Sequence, residues 1–162
     1  MSDGLTMTIN LTYFERDMKE LAGPVADRIS RQALRAGAQV VLEALQDLAP
    51  ERPDLPSGTA LPVGALREDL HARVSRQDDG TYVARIGSGP KTRHVARFVE
   101  YGHEQAGSEK HLIGGNLEGK FVPAHPWIRP AAELSQEEAT ATAGLVVEEE
   151  IAKEATRLGY VA

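Results

Sequence analysis

The period of hydrophobic and polar positions changes several times along the chain, and each change marks an element. Leu5, Met7, Ile9 and Leu11 alternate with Thr6, Thr8, Asn10 and Thr12, the two-residue period of a strand with one buried and one wet face. Tyr13 to Leu21 reads as a short helix, closed by Ala22-Gly23 before a proline suited to a first helical turn. From Pro24 to Leu48 the period lengthens. Val25, Ile29, Ala33, Ala36, Val40, Ala44 and Leu48 recur at steps of three or four, and Leu34, Val41 and Leu45 widen the stripe. This predicts a long amphipathic helix that Pro50 terminates.

Residues 49–64 hold Pro50, Pro53, Pro56 and Pro62 with Gly58 and Gly64, so they predict a long loop. Leu70, Ala72 and Val74 then alternate up to Gln77-Asp78-Asp79-Gly80, and Tyr82, Ala84 and Ile86 alternate after it. Asp-Gly between two such runs predicts a hairpin with strands at 70–76 and 81–87. Val95, Phe98 and Val99 fit a short helix ending near Tyr101. Residues 102–121 are glycine-rich and charged without a period, which predicts a second long loop. A final helix is expected over 130–158, with Leu134, Ala141, Leu145, Ala152, Ala155 and Leu158 as its apolar stripe and Glu148-Glu149-Glu150 in water. The expected fold class is α+β. A small antiparallel sheet is packed by one long amphipathic helix and a long C-terminal helix, with extended loops, in one domain over residues 1–162.

Composition narrows the chemistry. The chain has no cysteine, which removes disulfides, thiolate nucleophiles and cysteine zinc sites together. No stretch approaches the roughly 20 apolar residues of a membrane helix, and the amino end lacks the basic flank and apolar run of a signal peptide. The net charge of −6 is concentrated at the carboxyl end, where residues 131–162 carry seven carboxylates against two cations. Phosphate contacts dominate nucleic-acid affinity, so this balance argues against a general grip on DNA.

Candidate reactive groups are few. His71, His94, His103, His111 and His125 show no i, i+4 pair on an expected helix, and solvated or hydrogen-bonding imidazoles account for them better than a metal site. Glu100 with His103 and Glu104 has the residue types of an acid and a base, yet a charged turn at a subunit contact is the favoured reading. Gly87-Ser88-Gly89-Pro90-Lys91-Thr92 lacks the second glycine of a phosphate-binding loop. No cofactor and no catalytic residue is expected.

Two segments stand out as a pair: Ala96-Arg97-Phe98-Val99-Glu100-Tyr101-Gly102 and Pro123-Ala124-His125-Pro126-Trp127-Ile128-Arg129-Pro130-Ala131. Their order and spacing resemble the tail-component family of siphophages named for gene product ten of a lambda-like phage. Its members carry A-x-[FY]-V-E-[FY]-G-T followed by P-A-x-P-[FW]-[LIM]-R-P-A. The second motif is matched almost in full, and the first departs at His103, where threonine is usual. Gly64-Ala65-Leu66-Arg67-Glu68-Asp69 resembles a further family segment, with Asp69 in place of a hydroxyl.

The resemblance implies a structural virion protein with no enzymatic activity. It would be assembled in the host cytoplasm and would form a homo-oligomeric, sixfold ring at the head–tail junction. Its partners would be adjacent neck, connector or tail-tube proteins, with DNA passing through the channel without specific binding. A tail terminator ring, or a prophage-encoded module binding a host protein, is the alternative. The expected contact residues are Phe98, Glu100, Tyr101, Gly102, His125, Pro126, Trp127, Arg129 and Pro130, with Leu61 and Leu66 beside the proline-rich loop. Aromatic side chains suit such contacts, although core packing is an equal alternative for Phe98 and Trp127. Arg129 is expected to pair with the Glu100 carboxylate, and acidic helical surface to line the channel.

Overall fold

The computed structural model describes residues 23–50, 61–104 and 121–157. The strand expected at 5–12, the helix at 13–21, most of both long loops, and Leu158 lie outside the described residues. The elements are α1 (Gly23–Leu48), α2 (Ala65–Glu68), β1 (Leu70–Arg76), β2 (Tyr82–Ser88), α3 (Arg93–Tyr101), β3 (His103–Glu104), β4 (Phe121–Val122) and α4 (Ile128–Arg157). Two long helices and a small antiparallel sheet make the protein α+β.

α1 is the element that the sheet and α4 share. Its buried residues include Ile29, Ala33, Leu34, Gly37, Ala38, Val41 and Leu45, so the buried face is turned from the expected stripe toward Leu34, Val41 and Leu45, leaving Val25, Ala36, Val40 and Ala44 half-buried and Leu48 exposed. Leu34, Ala38, Val41 and Leu45 join Leu70, Tyr82, Ala84 and Ile86 of the hairpin, with Ala96 and Trp127, in the main apolar cluster. Ala26, Ile29 and Ala33 pack with Ala143 and Val147 of α4 in a second one. The helices approach closely where both carry small residues. A Cβ on Gly37 would stand 2.8 Å from the Ala139 carbonyl oxygen.

The buried face of α4 corrects the expected one. It consists of Ala131, Ser135, Ala139, Ala143, Val147 and Glu150, while Leu134 and Leu145, placed inward by the sequence reading, are 75% and 66% exposed. Small side chains let α4 lie against Gly37, whereas leucines there would hold the helices apart. Glu150 is also turned inward. It accepts from the Arg28 guanidinium and from Lys153 Nζ, so its charge is paired where it meets α1.

The hairpin pairs Leu70 with Ser88 through to Arg76 with Tyr82, one residue later on β2 than expected. Asp79 and Gly80 make its turn: the Asp79 carboxylate accepts the Thr81 amide at 2.9 Å, and Gly80 takes a φ of 89°. Arg31 donates to the Tyr82 hydroxyl at 3.2 Å, fastening α1 to the sheet. The expected loop over 102–121 is not loop at its ends, because His103 pairs with Val122 and Glu104 with Phe121.

Candidate functional site

The two sequence motifs meet at the start of α4. Trp127 is 4% exposed and sits in the main apolar cluster, so its ring is a core anchor. It fixes the residue preceding Ile128, where α4 begins two positions earlier than expected. A helix start leaves several backbone N–H groups without intrahelical partners. Here Glu100 receives them: its carboxylate accepts the amides of Trp127 at 2.8 Å, Ile128 at 2.9 Å and Arg129 at 3.4 Å. Pro130 has no N–H to satisfy, and Ala131 donates to the Trp127 carbonyl, which starts the helical ladder.

Glu100 is therefore a capping residue supplied from 27 positions upstream, 2% exposed. Within the subunit its carboxylate is already spent on the backbone of α4, so it is not the charged turn at a subunit contact expected from the sequence. Glu100 joins the two motifs, and it does so through a partner other than the expected guanidinium. Arg129 meets Glu100 through its backbone amide, and its own side chain is exposed, so no guanidinium–carboxylate pair joins them. A negative charge at a helix N-terminus is favourable for the helix dipole as well as for the hydrogen bonds.

The rest of the first motif holds Glu100 in place. Ala96 packs in the core, and the Val99 carbonyl accepts the His125 amide at 2.7 Å, a main-chain tie parallel to the carboxylate clasp. Gly102 has φ 73° and ψ 169°, a region open essentially to glycine alone. A Cβ there would stand 2.7 Å from the Val122 carbonyl oxygen, so both backbone angle and space require glycine. The departure from the family at His103 falls just after this turn, and the His103 ring stacks on Phe98 with centroids 4.6 Å apart.

Asp69 acts similarly at the other end of α3. Its carboxylate accepts the backbone amide of Thr92 at 3.0 Å and its hydroxyl at 2.9 Å. A Cβ on Gly89 would overlap that carboxylate. The residue that departs from the family's hydroxyl thus ties the hairpin to the start of α3, and the segment 87–92, which lacks the glycine pattern of a phosphate-binding loop, is the turn it grips.

With α3 held at both ends, its outer face is presented rigidly. His94, Phe98 and Tyr101, at i, i+4 and i+7, share that face. Phe98 is 44% and Tyr101 52% exposed, and Phe121, whose ring reaches the Gly102 backbone, is 65% exposed. His94 meets the Phe98 ring edge-on at 6.3 Å. Sequence reasoning had Phe98 and Tyr101 as contact residues and missed the exposed Phe121, which the β3–β4 pairing sets against the Gly102 backbone. Among the other expected contact residues, His125, Pro126 and Arg129 are exposed and Pro130 and Leu61 half-buried, while Leu66 packs against the core. The described residues include no group of three His, Asp or Glu side chains placed to hold a metal ion. No described helix is long and apolar enough to cross a membrane.

Comparison with curated proteins and with solved structures gives no match. Comparison with family models gives one over residues 13–102, described as bacteriophage HK97-gp10, putative tail-component. That span exceeds half the chain and holds α1, the hairpin and the whole of the first motif, ending at the glycine whose backbone demands it. The chain belongs to the bacteriophage HK97-gp10 tail-component family, a family of structural phage proteins.

Proposed function

We propose that this tail component closes with copies of itself into a sixfold ring at the head–tail junction, around the DNA path. There it engages an adjoining neck, connector or tail-tube protein through the surface formed by Phe98, Tyr101 and Phe121. The observation that supports this reading is the exposure of Phe98 and Tyr101 on a helix fixed at both ends, with the exposed Phe121 at the Gly102 turn that follows it. Aromatic rings with few rotatable bonds lose little entropy on docking and bury much area, and a capped helix does not have to be ordered by its partner. The Glu100 clasp acts in this reading as the support beneath the contact surface. The ring carries DNA without base or phosphate recognition and makes or breaks no covalent bond.

The test is complementation of a phage or prophage deleted for this gene. The wild-type chain is expected to restore joined particles and to be found in them by mass spectrometry. The double variant Phe98→Ala, Tyr101→Ala is expected to fold, with an unchanged circular dichroism spectrum, and to leave heads and tails unjoined. A chain absent from wild-type particles, or full joining by the double variant, overturns the proposal.

A further inference from the structure

The outer face of the hairpin carries an arrangement that the isolated subunit does not explain. Arg73 on β1 is directly opposite Arg85 on β2, and both side chains are exposed. Like charges facing one another across a ladder repel. Arg85 is held by neutral groups, donating to Ser75 Oγ at 2.9 Å and Gln77 Oε1 at 3.4 Å. Neither arginine forms an ion pair with a described carboxylate. Val83 lies on the same side, opposite Ser75 and two residues from Arg85, and adds apolar surface to the basic pair.

α4 carries the converse. Leu134, Ala141, Leu145 and Ala152, at steps of seven, four and seven, form an exposed apolar line, and it is flanked by exposed Glu137, Glu138 and Glu148. None of these three glutamates has a cationic partner among the described residues, unlike Glu149, which pairs with Lys153 at 2.8 Å. At 1.5 Å per residue the line from Leu134 to Ala152 runs about 27 Å, close to the roughly 23 Å of a seven-residue strand. The two faces therefore match in length, both offer apolar contact, and they carry unneutralised charge of opposite sign.

We infer that the exposed face of α4 docks on the exposed face of the β1–β2 hairpin of the next copy, bringing Arg73 and Arg85 against Glu137, Glu138 and Glu148. This rests on the ring reading and names its seam. The faces lie on different elements around α1, so the contact is head to tail, which is the geometry that closes rings. It places the α4 glutamates between copies in place of the channel wall, and it leaves Phe98, Tyr101 and Phe121 for the adjoining protein.

The experiment uses two full-length charge-reversed chains, Arg73→Glu with Arg85→Glu, and Glu137→Lys with Glu138→Lys and Glu148→Lys. Light scattering after size exclusion gives their masses, and circular dichroism checks that they fold. Each alone is expected to self-associate at least about tenfold more weakly than the wild type. An equimolar mixture is expected to regain the wild-type mass, because each reversed face then meets its complement. Raised salt is expected to weaken the wild-type assembly. If both variants assemble as the wild type does, or the mixture stays dissociated, the seam is wrong. Loss of duplex-DNA retention by the arginine variant with assembly unchanged also overturns it, by making the hairpin face a phosphate contact. A Phe98→Ala, Tyr101→Ala chain that assembles normally yet fails to join particles leaves both proposals standing. A wild-type chain that stays monomeric at every concentration overturns the ring and the seam together.

Discussion

The carboxylate of Glu100 accepts the backbone amide of Trp127 at 2.8 Å, the shortest of the three bonds by which it joins the end of α3 to the start of α4. Replacing Glu100 by Ala leaves the first amides of α4 unpaired in a buried place and opens a void. The expected loss is about 2–4 kcal/mol, combining a lost cap with an unsatisfied buried donor. Glu100→Gln keeps one acceptor oxygen and loses the charge, so about 1–2 kcal/mol is expected. Urea unfolding followed by circular dichroism reads both, and a Glu100→Ala chain as stable as the wild type would remove the clasp as a stabilising element.

Arg129 provides the matching control. Its guanidinium takes no part in the clasp, so Arg129→Gln is expected to change unfolding free energy by no more than about 0.5 kcal/mol. A loss comparable to that of Glu100→Gln would mean that the side chain supports Glu100 after all.

Gly37→Ala tests the close approach of α1 and α4. The added methyl meets the Ala139 carbonyl oxygen at 2.8 Å, and a backbone carbonyl in mid-helix cannot swing aside. Despite the better helix propensity of alanine, a net destabilisation of about 1–3 kcal/mol is expected. Thermal unfolding measures it, and a gain in stability would show that the helices have room to separate.

Gly102→Ala combines strain with overlap. The residue must keep φ 73° with ψ 169° and also clear the Val122 carbonyl. A loss of about 2–3 kcal/mol is expected in the same unfolding experiment. Particle joining should fall with it, since β4 and the Phe121 ring lie directly beside this turn.

The pH dependence of stability follows from Glu150. Hydrogen bonds from Lys153 and then Arg28 hold its carboxyl below the ordinary glutamate range. Glu154 is likewise lowered, chiefly by Arg157. A carboxyl with a lower pKa in the folded state contributes fully above its unfolded value, about 4.3, and the contribution vanishes as pH falls through the folded value. The melting temperature is therefore expected to drop more steeply below about pH 4.3 in the wild type than in Arg28→Ala. Parallel curves for the two chains would show that the ion pair does not stabilise the helix pair.

The sequence made some of this legible and not the rest, for identifiable reasons. α1 and the hairpin were readable because Ile29, Leu34, Val41 and Leu45 on one side, and Leu70, Tyr82, Ala84 and Ile86 on the other, recur at the period of their element and are buried. On α4 that rule inverts. The inward positions are Ala139 and Ala143, chosen for closeness to Gly37, while the leucines are out. The i, i+4 run of small residues Ala131, Ser135, Ala139 and Ala143 was the available signal, and it carries less weight than leucine in any hydrophobic count. The pairing of β3 with β4 involves two residues on each strand, too few to show a period. The link between the two motifs was foreseeable from their residues. Its chemistry was not, because the donors of Glu100's bonds are main-chain N–H groups, and main chain is the same at every position.

That last point governs how this junction tolerates change over evolutionary time. A carboxylate that holds N–H groups of the backbone recognises a shape of chain and ignores which side chains are attached. The clasp sets no requirement on the side chains at positions 128 and 129, so a change there calls for no compensating exchange at position 100, and Ile128 answers instead to the core it packs against. Surface identity can drift from one phage to the next while the joint beneath it stays the same.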